Sequence, residues 1–217
     1  MPDYLQQRLN MVAAQVRTND VTDLRIQQAM REVPRERFVP AAQQALAYAD
    51  APVEVARGRY LLDPRTFAKL LQLADVVEND SVLDVGCATG YSTAVIARLA
   101  RKVTGLEQDA DLLRVAVNTL GALALPNAAI VQGPLAEGCK SGGLYNVIFV
   151  NGSVEEEPRA LLAQLAEGGR LAVIFQPGAQ GHARLYVREH GRVGARPDFD
   201  ATVPRLVGFK KSVGFVF

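Results

Sequence analysis

Val82-Leu83-Asp84-Val85-Gly86-Cys87-Ala88-Thr89-Gly90-Tyr91-Ser92-Thr93 is the stretch that decides how this chain folds. A short apolar run passes through a loop of small residues into the start of a helical pattern. Gly86 and Gly90 permit backbone conformations that a side chain blocks, and Ala88 is small enough for close approach. The free amides at the helix start favour an electronegative group.

Outward from this loop the pattern repeats. Strands are predicted at Ser81 to Gly86, Lys102 to Glu107, Ala128 to Gln132, Asn146 to Val150 and Arg170 to Phe175. Helices are predicted between them, at Tyr91 to Ala100, Asp109 to Leu123 and Pro158 to Ala166. Apolar strands alternating with amphipathic helices imply right-handed crossovers and a parallel sheet covered on both faces. The tail departs from this: Ala183 to Glu189 and Lys211 to Phe217 are strand-like with no helix between them, which fits an antiparallel pair on the sheet edge. The fold class is therefore α/β, a Rossmann-like, mostly parallel, doubly wound seven-stranded sheet with an antiparallel edge.

The N-terminal part reads as a helical extension. Leu5, Leu9, Val12 and Val16 fall on one helical face, and Thr22 or Asp23 caps a second helix that runs through Met30 and ends before Pro34. Two short helices in sequence also suit a helix-turn-helix, but the Arg17 to Asp23 connection is polar and no basic recognition face follows. Pro34 to Arg59 is irregular, with Pro40 and Pro52 as punctuation. Asp63-Pro64 reads as an N-cap followed by proline at the first helical position, and Phe67, Leu70, Leu71 and Ala74 give that helix its buried face. One domain, 1–217, is expected, with 1–76 a substrate-side extension and 77–217 the cofactor-binding core.

A dinucleotide loop, G-x-G-x-x-G, would require a third glycine where Tyr91 stands. The pattern present, an acidic residue followed by G-x-(G/A)-x-G, is that of S-adenosylmethionine enzymes. Glu107 ends the next strand, 21 residues after Gly86. A carboxylate there can accept from both ribose hydroxyls, or be an ordinary glutamate at a strand end. Asp84 can orient loop amides or the amino group of the ligand's methionine portion, or simply cap the loop.

The 217 residues are 49% apolar and 22% charged, with net charge +1, so no basic surface for nucleic acid is advertised. No stretch approaches the roughly 18 apolar residues of a membrane span, and the start lacks a signal-peptide pattern. Cys87 and Cys139 have no metal-site spacing. A cytoplasmic protein with no metal, nucleic-acid or membrane partner is expected, and His182 and His190 are expected to be surface residues.

Val33-Pro34-Arg35-Glu36-Arg37-Phe38-Val39-Pro40, followed by Tyr48-Ala49-Asp50-Ala51-Pro52, resembles the N-terminal signature of the protein-L-isoaspartate O-methyltransferases. The loop at Gly86, the Leu161 to Gly169 helix end and Val203-Pro204 resemble later blocks in the same order, so the resemblance covers roughly residues 5 to 207. It implies an S-adenosylmethionine-dependent protein carboxyl methyltransferase that acts on isoaspartyl residues in damaged proteins or peptides, a protein-repair activity. The acceptor carboxylate, with a pKa near ~4, is already ionised at neutral pH. No general base is then needed, and the enzyme mainly positions and desolvates. The resemblance places Asp84, Gly86, Ala88, Gly90, Glu107, Gln132 and Gly133 on the cofactor, and Asp84, Tyr60 and Arg59 at the reaction centre.

Two segments depart from the family pattern. Its substrate segment G-Q-T-I-S-Q-P is here Gly58-Arg59-Tyr60-Leu61-Leu62-Asp63-Pro64, with Leu62 in place of the serine. The Gly-Asp-Gly after the third strand is here Gln132-Gly133-Pro134, and Pro134 offers neither a carboxylate nor an N–H. Tyr60, Asp63 or Arg59 can compensate for the serine; an arginine can pair bidentately with the substrate carboxylate, whereas Asp63 would repel it. A methyltransferase with another acceptor, or a non-catalytic relative that binds a nucleoside or a partner, fits the same departures.

Overall fold

The computed structural model describes residues 3–210. Five parallel strands carry the centre of the sheet: β3 (Ser81–Val85), β4 (Lys102–Glu107), β5 (Ala128–Gln132), β6 (Tyr145–Val154) and β7 (Leu165–Phe175). Two antiparallel strands, β8 (His182–Glu189) and β9 (Arg192–Asp200), complete it in the order β5-β4-β3-β6-β7-β8-β9. Side chains alternate between two cores. Val82, Val147, Phe149, Ala172 and Ile174 enter one cluster; Leu83, Val85, Ile148, Val150, Leu171 and Val173 enter the other. Burial on both faces is why these strands read as continuous apolar runs.

Strand order reverses between β3 and β6, and in such sheets ligands bind at the carboxyl ends of the strands beside that point. The 86–90 loop, Glu107 and Gln132 all lie there, at the ends of β3, β4 and β5.

The helices are shorter than the periodicity suggests. α4 (Tyr91–Ile96) and α6 (Arg159–Leu162) stop early, while α5 (Ala110–Ala122) starts after an Asp109 cap that accepts from the Asp111 and Leu112 amides. In the extension, α1 (Tyr4–Met11) runs into a π-helical turn, Val12–Val16. That turn breaks the expected face: Met11, Val12 and Val16 are buried, but Leu5 is 57% exposed and Leu9 36%. α2 (Leu24–Glu32) is capped by Asp23, and α3 (Pro64–Ala74) by Asp63, whose carboxylate accepts from the Thr66 amide at 2.8 Å. Phe67, Leu70, Leu71 and Ala74 of α3 are all buried, as expected.

One expectation is corrected. The segment before Arg59 is not wholly irregular: β1 (Val53–Ala56) and β2 (Arg59–Leu61) form an antiparallel hairpin. The second partner of β8, besides β7, is β9. β9 is almost wholly exposed and lacks apolar alternation, so no pattern announces it. The predicted strand at Lys211 to Phe217 lies outside the described residues. Among the described residues no helix is long and apolar enough to cross a membrane.

Candidate cofactor cleft

The glycine loop takes the form its sequence demands. Gly86 and Gly90 have φ of +73° and +94°, and Ala88 sits at +50°, a left-handed conformation that costs a non-glycine residue. The Gly86 and Cys87 amides both donate to the Leu106 carbonyl, joining the loop to β4. A Cβ at Gly90 would stand 3.1 Å from that of Ala116, so glycine also lets α5 pack close.

Asp84 is fully buried, and its carboxylate accepts from Ser92 Oγ at 2.7 Å, Thr93 Oγ1 at 2.6 Å and Asn151 Nδ2 at 2.6 Å. Its partners are therefore side chains rather than the expected loop amides. Burial pushes its pKa up to about 6; the donors from Thr93, Ser92 and Asn151 oppose that rise and the Glu107 charge adds to it. Burial likewise pushes the Cys87 thiol well up, which leaves it inert at neutral pH.

Glu107, completely buried, is the hub of the cleft. It accepts from the amides of Ala88 (2.9 Å), Gln108 (2.9 Å) and Asp109 (3.0 Å). Its two oxygens also receive both terminal nitrogens of Arg59, at 2.5 and 2.7 Å. Arg59 Nη2 also donates to the Gly86 carbonyl at 3.3 Å. β2 delivers Arg59 to Glu107, and its guanidinium is engaged there. The sequence held both residues but no signal that they meet, because the missed hairpin is what brings Arg59 in.

The remaining candidates fall around this pair. Tyr60 is half-buried on the wall of a small void shared with Leu62, Gly86, Cys87, Tyr91 and Asn151. Gln132 is exposed and its amide donates to the Gln108 carbonyl, while the Gly133 amide donates to the Glu107 carbonyl at 3.1 Å. Leu62 is buried, and its main-chain oxygen accepts from Arg35 at 2.7 Å. Arg35 itself is fully buried over the Tyr91 ring, 4.6 Å from its centre.

Sequence reading singled out Val203-Pro204 after β9 but not its contact with the glycine loop. The Ser153 amide donates to the Pro204 carbonyl and the Leu206 amide donates to the Ser153 carbonyl, laying Leu206 over the loop. A Cβ at Gly86 would meet the Leu206 side chain at 2.8 Å.

As folded, three features narrow the cleft. The carboxylate suited to the ribose diol is bidentate to Arg59, Leu206 covers the loop, and Pro134 replaces the adenine-side acid. A void of about 10 Å³ lies on the Tyr60 and Leu62 side of the loop. A concavity of about 600 Å³ is an apolar groove between α5 and β5, built on the start of β5 rather than the strand ends that carry the loop. Among the described residues no group of three His, Cys, Asp or Glu could hold a metal ion.

Against known proteins, the family described as Protein-L-isoaspartate(D-aspartate) O-methyltransferase (PCMT) matches residues 7–200. A protein-L-isoaspartate O-methyltransferase of Koribacter versatilis is 36% identical over 204 residues, which span 93% of this chain and 90% of that protein. A solved protein-L-isoaspartate O-methyltransferase superposes with a TM-score of 0.80 at 23% identity, covering 94% of this chain and 66% of its own. A Plasmodium falciparum structure in complex with S-adenosyl-L-homocysteine gives the same TM-score at 22% identity, covering 94% of this chain and 99% of its own. At these identities the two solved structures speak for the fold.

Proposed function

Because the chain belongs to the protein-L-isoaspartate O-methyltransferase family, a family of S-adenosylmethionine-dependent methyltransferases, we propose that it is a protein carboxyl methyltransferase directed at isoaspartyl proteins or peptides. The observation that carries this is the family's own arrangement: the Gly86–Gly90 loop after β3 and a buried carboxylate, Glu107, ending β4 with loop amides on it. Asp84, Gly86, Ala88, Gly90, Glu107, Gln132 and Gly133 form the cofactor side in this reading, and Tyr60 faces the acceptor. The chain works as one unit, with 1–76 on the substrate side of the 77–217 core, in the cytoplasm.

The protein's own residues supply orientation and exclusion of water rather than proton transfer, since the acceptor is already an anion. Asp84, fixed by three donors, holds the end of β3 to the start of α4 and so fixes the loop. Arg35 fixes the main chain at Leu62 and Ala47 in the segment that would present the acceptor.

One observation favours a second reading, a relative that keeps the fold without turnover. Arg59 occupies Glu107 while Leu62 and Pro134 remove two polar groups the family pattern carries. Calorimetric titration with S-adenosylmethionine and S-adenosylhomocysteine, followed by transfer of labelled methyl to an isoaspartyl peptide, separates the two. Binding with transfer is expected of the methyltransferase. Binding without transfer, or with transfer to a different acceptor, would overturn the isoaspartyl assignment.

A further inference from the structure

Arg59 and Glu107 form the best-satisfied buried ion pair in the cleft. Their side chains are 6% and 0% exposed, and the guanidinium meets the carboxylate with two nitrogens. With the amides of Ala88, Gln108 and Asp109 included, the carboxylate accepts five hydrogen bonds, so its lone pairs are saturated without any ligand. A planar fork on a carboxylate is the tightest pairing these side chains offer, each bond roughly twice as strong as a neutral one. A ribose diol brings two neutral hydroxyls to the same oxygens and cannot displace it on equal terms.

Placement matters as much as strength. Arg59 opens the three-residue strand β2, held against β1 by the Val53↔Leu61 and Glu54↔Tyr60 pairs. Gly58 turns the hairpin just before it at φ +70°, and its amide donates to the Glu54 carboxylate. The hairpin tip thus inserts its side chain into the cleft, and Leu206 closes the side over Gly86.

We propose that Arg59 is the resident ligand of Glu107 and that the β1–β2 hairpin is the stopper of the nucleoside cleft, which opens only when the guanidinium withdraws. This rests on the methyltransferase reading for the identity of the ligand. A binding-competent form that is a small fraction of the population lowers the apparent affinity by that fraction. Breaking a buried pair of this kind sets that fraction at about 1 in 100 or below.

The test is calorimetric titration of the full chain with S-adenosylhomocysteine, in the wild type and in Arg59→Gln and Arg59→Lys. Arg59→Gln removes the fork and the charge, and should bind at least about 100-fold more tightly than the wild type. Should that variant fail to fold, because Glu107 is left buried without a cation, Arg59→Lys still tests the idea. It keeps the charge as a single-point contact and should bind on the order of 10-fold more tightly than the wild type. Equal affinity in wild type and folded variants would overturn the stopper and leave the methyltransferase reading standing. No binding by any folded variant would overturn both, since something other than Arg59 would then exclude the nucleoside.

Discussion

Asp84 shows how a single buried carboxylate can cost stability while it organises a site. Its pKa is about 6 in the folded chain against 3.8 for the unconstrained group, so between those values the folded state binds more protons than the unfolded one. Stability from this residue therefore falls as pH rises from about 4 to about 6 and is flat above, by roughly 3 kcal/mol in all. Asp84→Asn removes the titration and keeps an oxygen for Ser92 or Thr93. Its stability relative to the wild type should rise by up to about 3 kcal/mol between pH 4 and pH 7, read from urea denaturation across that range. A difference independent of pH would show that the carboxyl is not titrating there. The sequence announced Asp84 and Glu107 by their positions just before the glycine loop and at the end of the following strand. Their partners, Asn151 and Arg59, were hidden because each meets its carboxylate through tertiary contact.

Elements follow the same division between local and long-range causes. β4 and β5 occupy the predicted spans because each is a short run closed by turn residues, and the Asp63-Pro64 start of α3 was legible because capping is local chemistry. The β1–β2 hairpin was not legible: strands of four and three residues are too short for the Val53 and Val55 alternation to stand out, and the hairpin is held by what it packs on. β9 escaped for a related reason, since an edge strand exposed nearly throughout needs only main-chain pairing with β8. α1 misled because its π-helical turn rotates the buried face part-way along. Asp63→Ala tests how much the start of α3 owes to its capping side chain. Loss of the cap should lower stability by about 1 kcal/mol with the fold retained, measured as a shift in urea midpoint at unchanged slope. A loss within error would mean that proline at N1 and the burial of Phe67 and Leu70 hold α3 without it.

At the scale of the molecule, the question is whether the N-terminal extension and the α/β core unfold together. Tyr91 is one of the places where they are joined. It begins α4 in the core, yet its ring packs against Phe38 at 5.6 Å and Phe67 at 5.5 Å, with the buried Arg35 guanidinium over its face. Thr89 adds a hydroxyl donated to the Phe38 carbonyl at 2.6 Å. The Tyr91 hydroxyl itself is buried with no hydrogen-bond partner among the described residues, so the ring and not the oxygen makes the joint. Tyr91→Phe should accordingly leave stability nearly unchanged or slightly raised, because an unpaired buried hydroxyl is removed. Tyr91→Ala should lose about 3–5 kcal/mol, since a ring-sized gap opens between two packed bodies and Arg35 loses the face it rests on. If the extension and the core are one cooperative unit, both variants unfold in a single transition, with near-UV and far-UV circular dichroism superimposing. A Tyr91→Ala protein that melts in two steps, aromatic signal first, would instead show that residues of the extension come away from a core that stands alone.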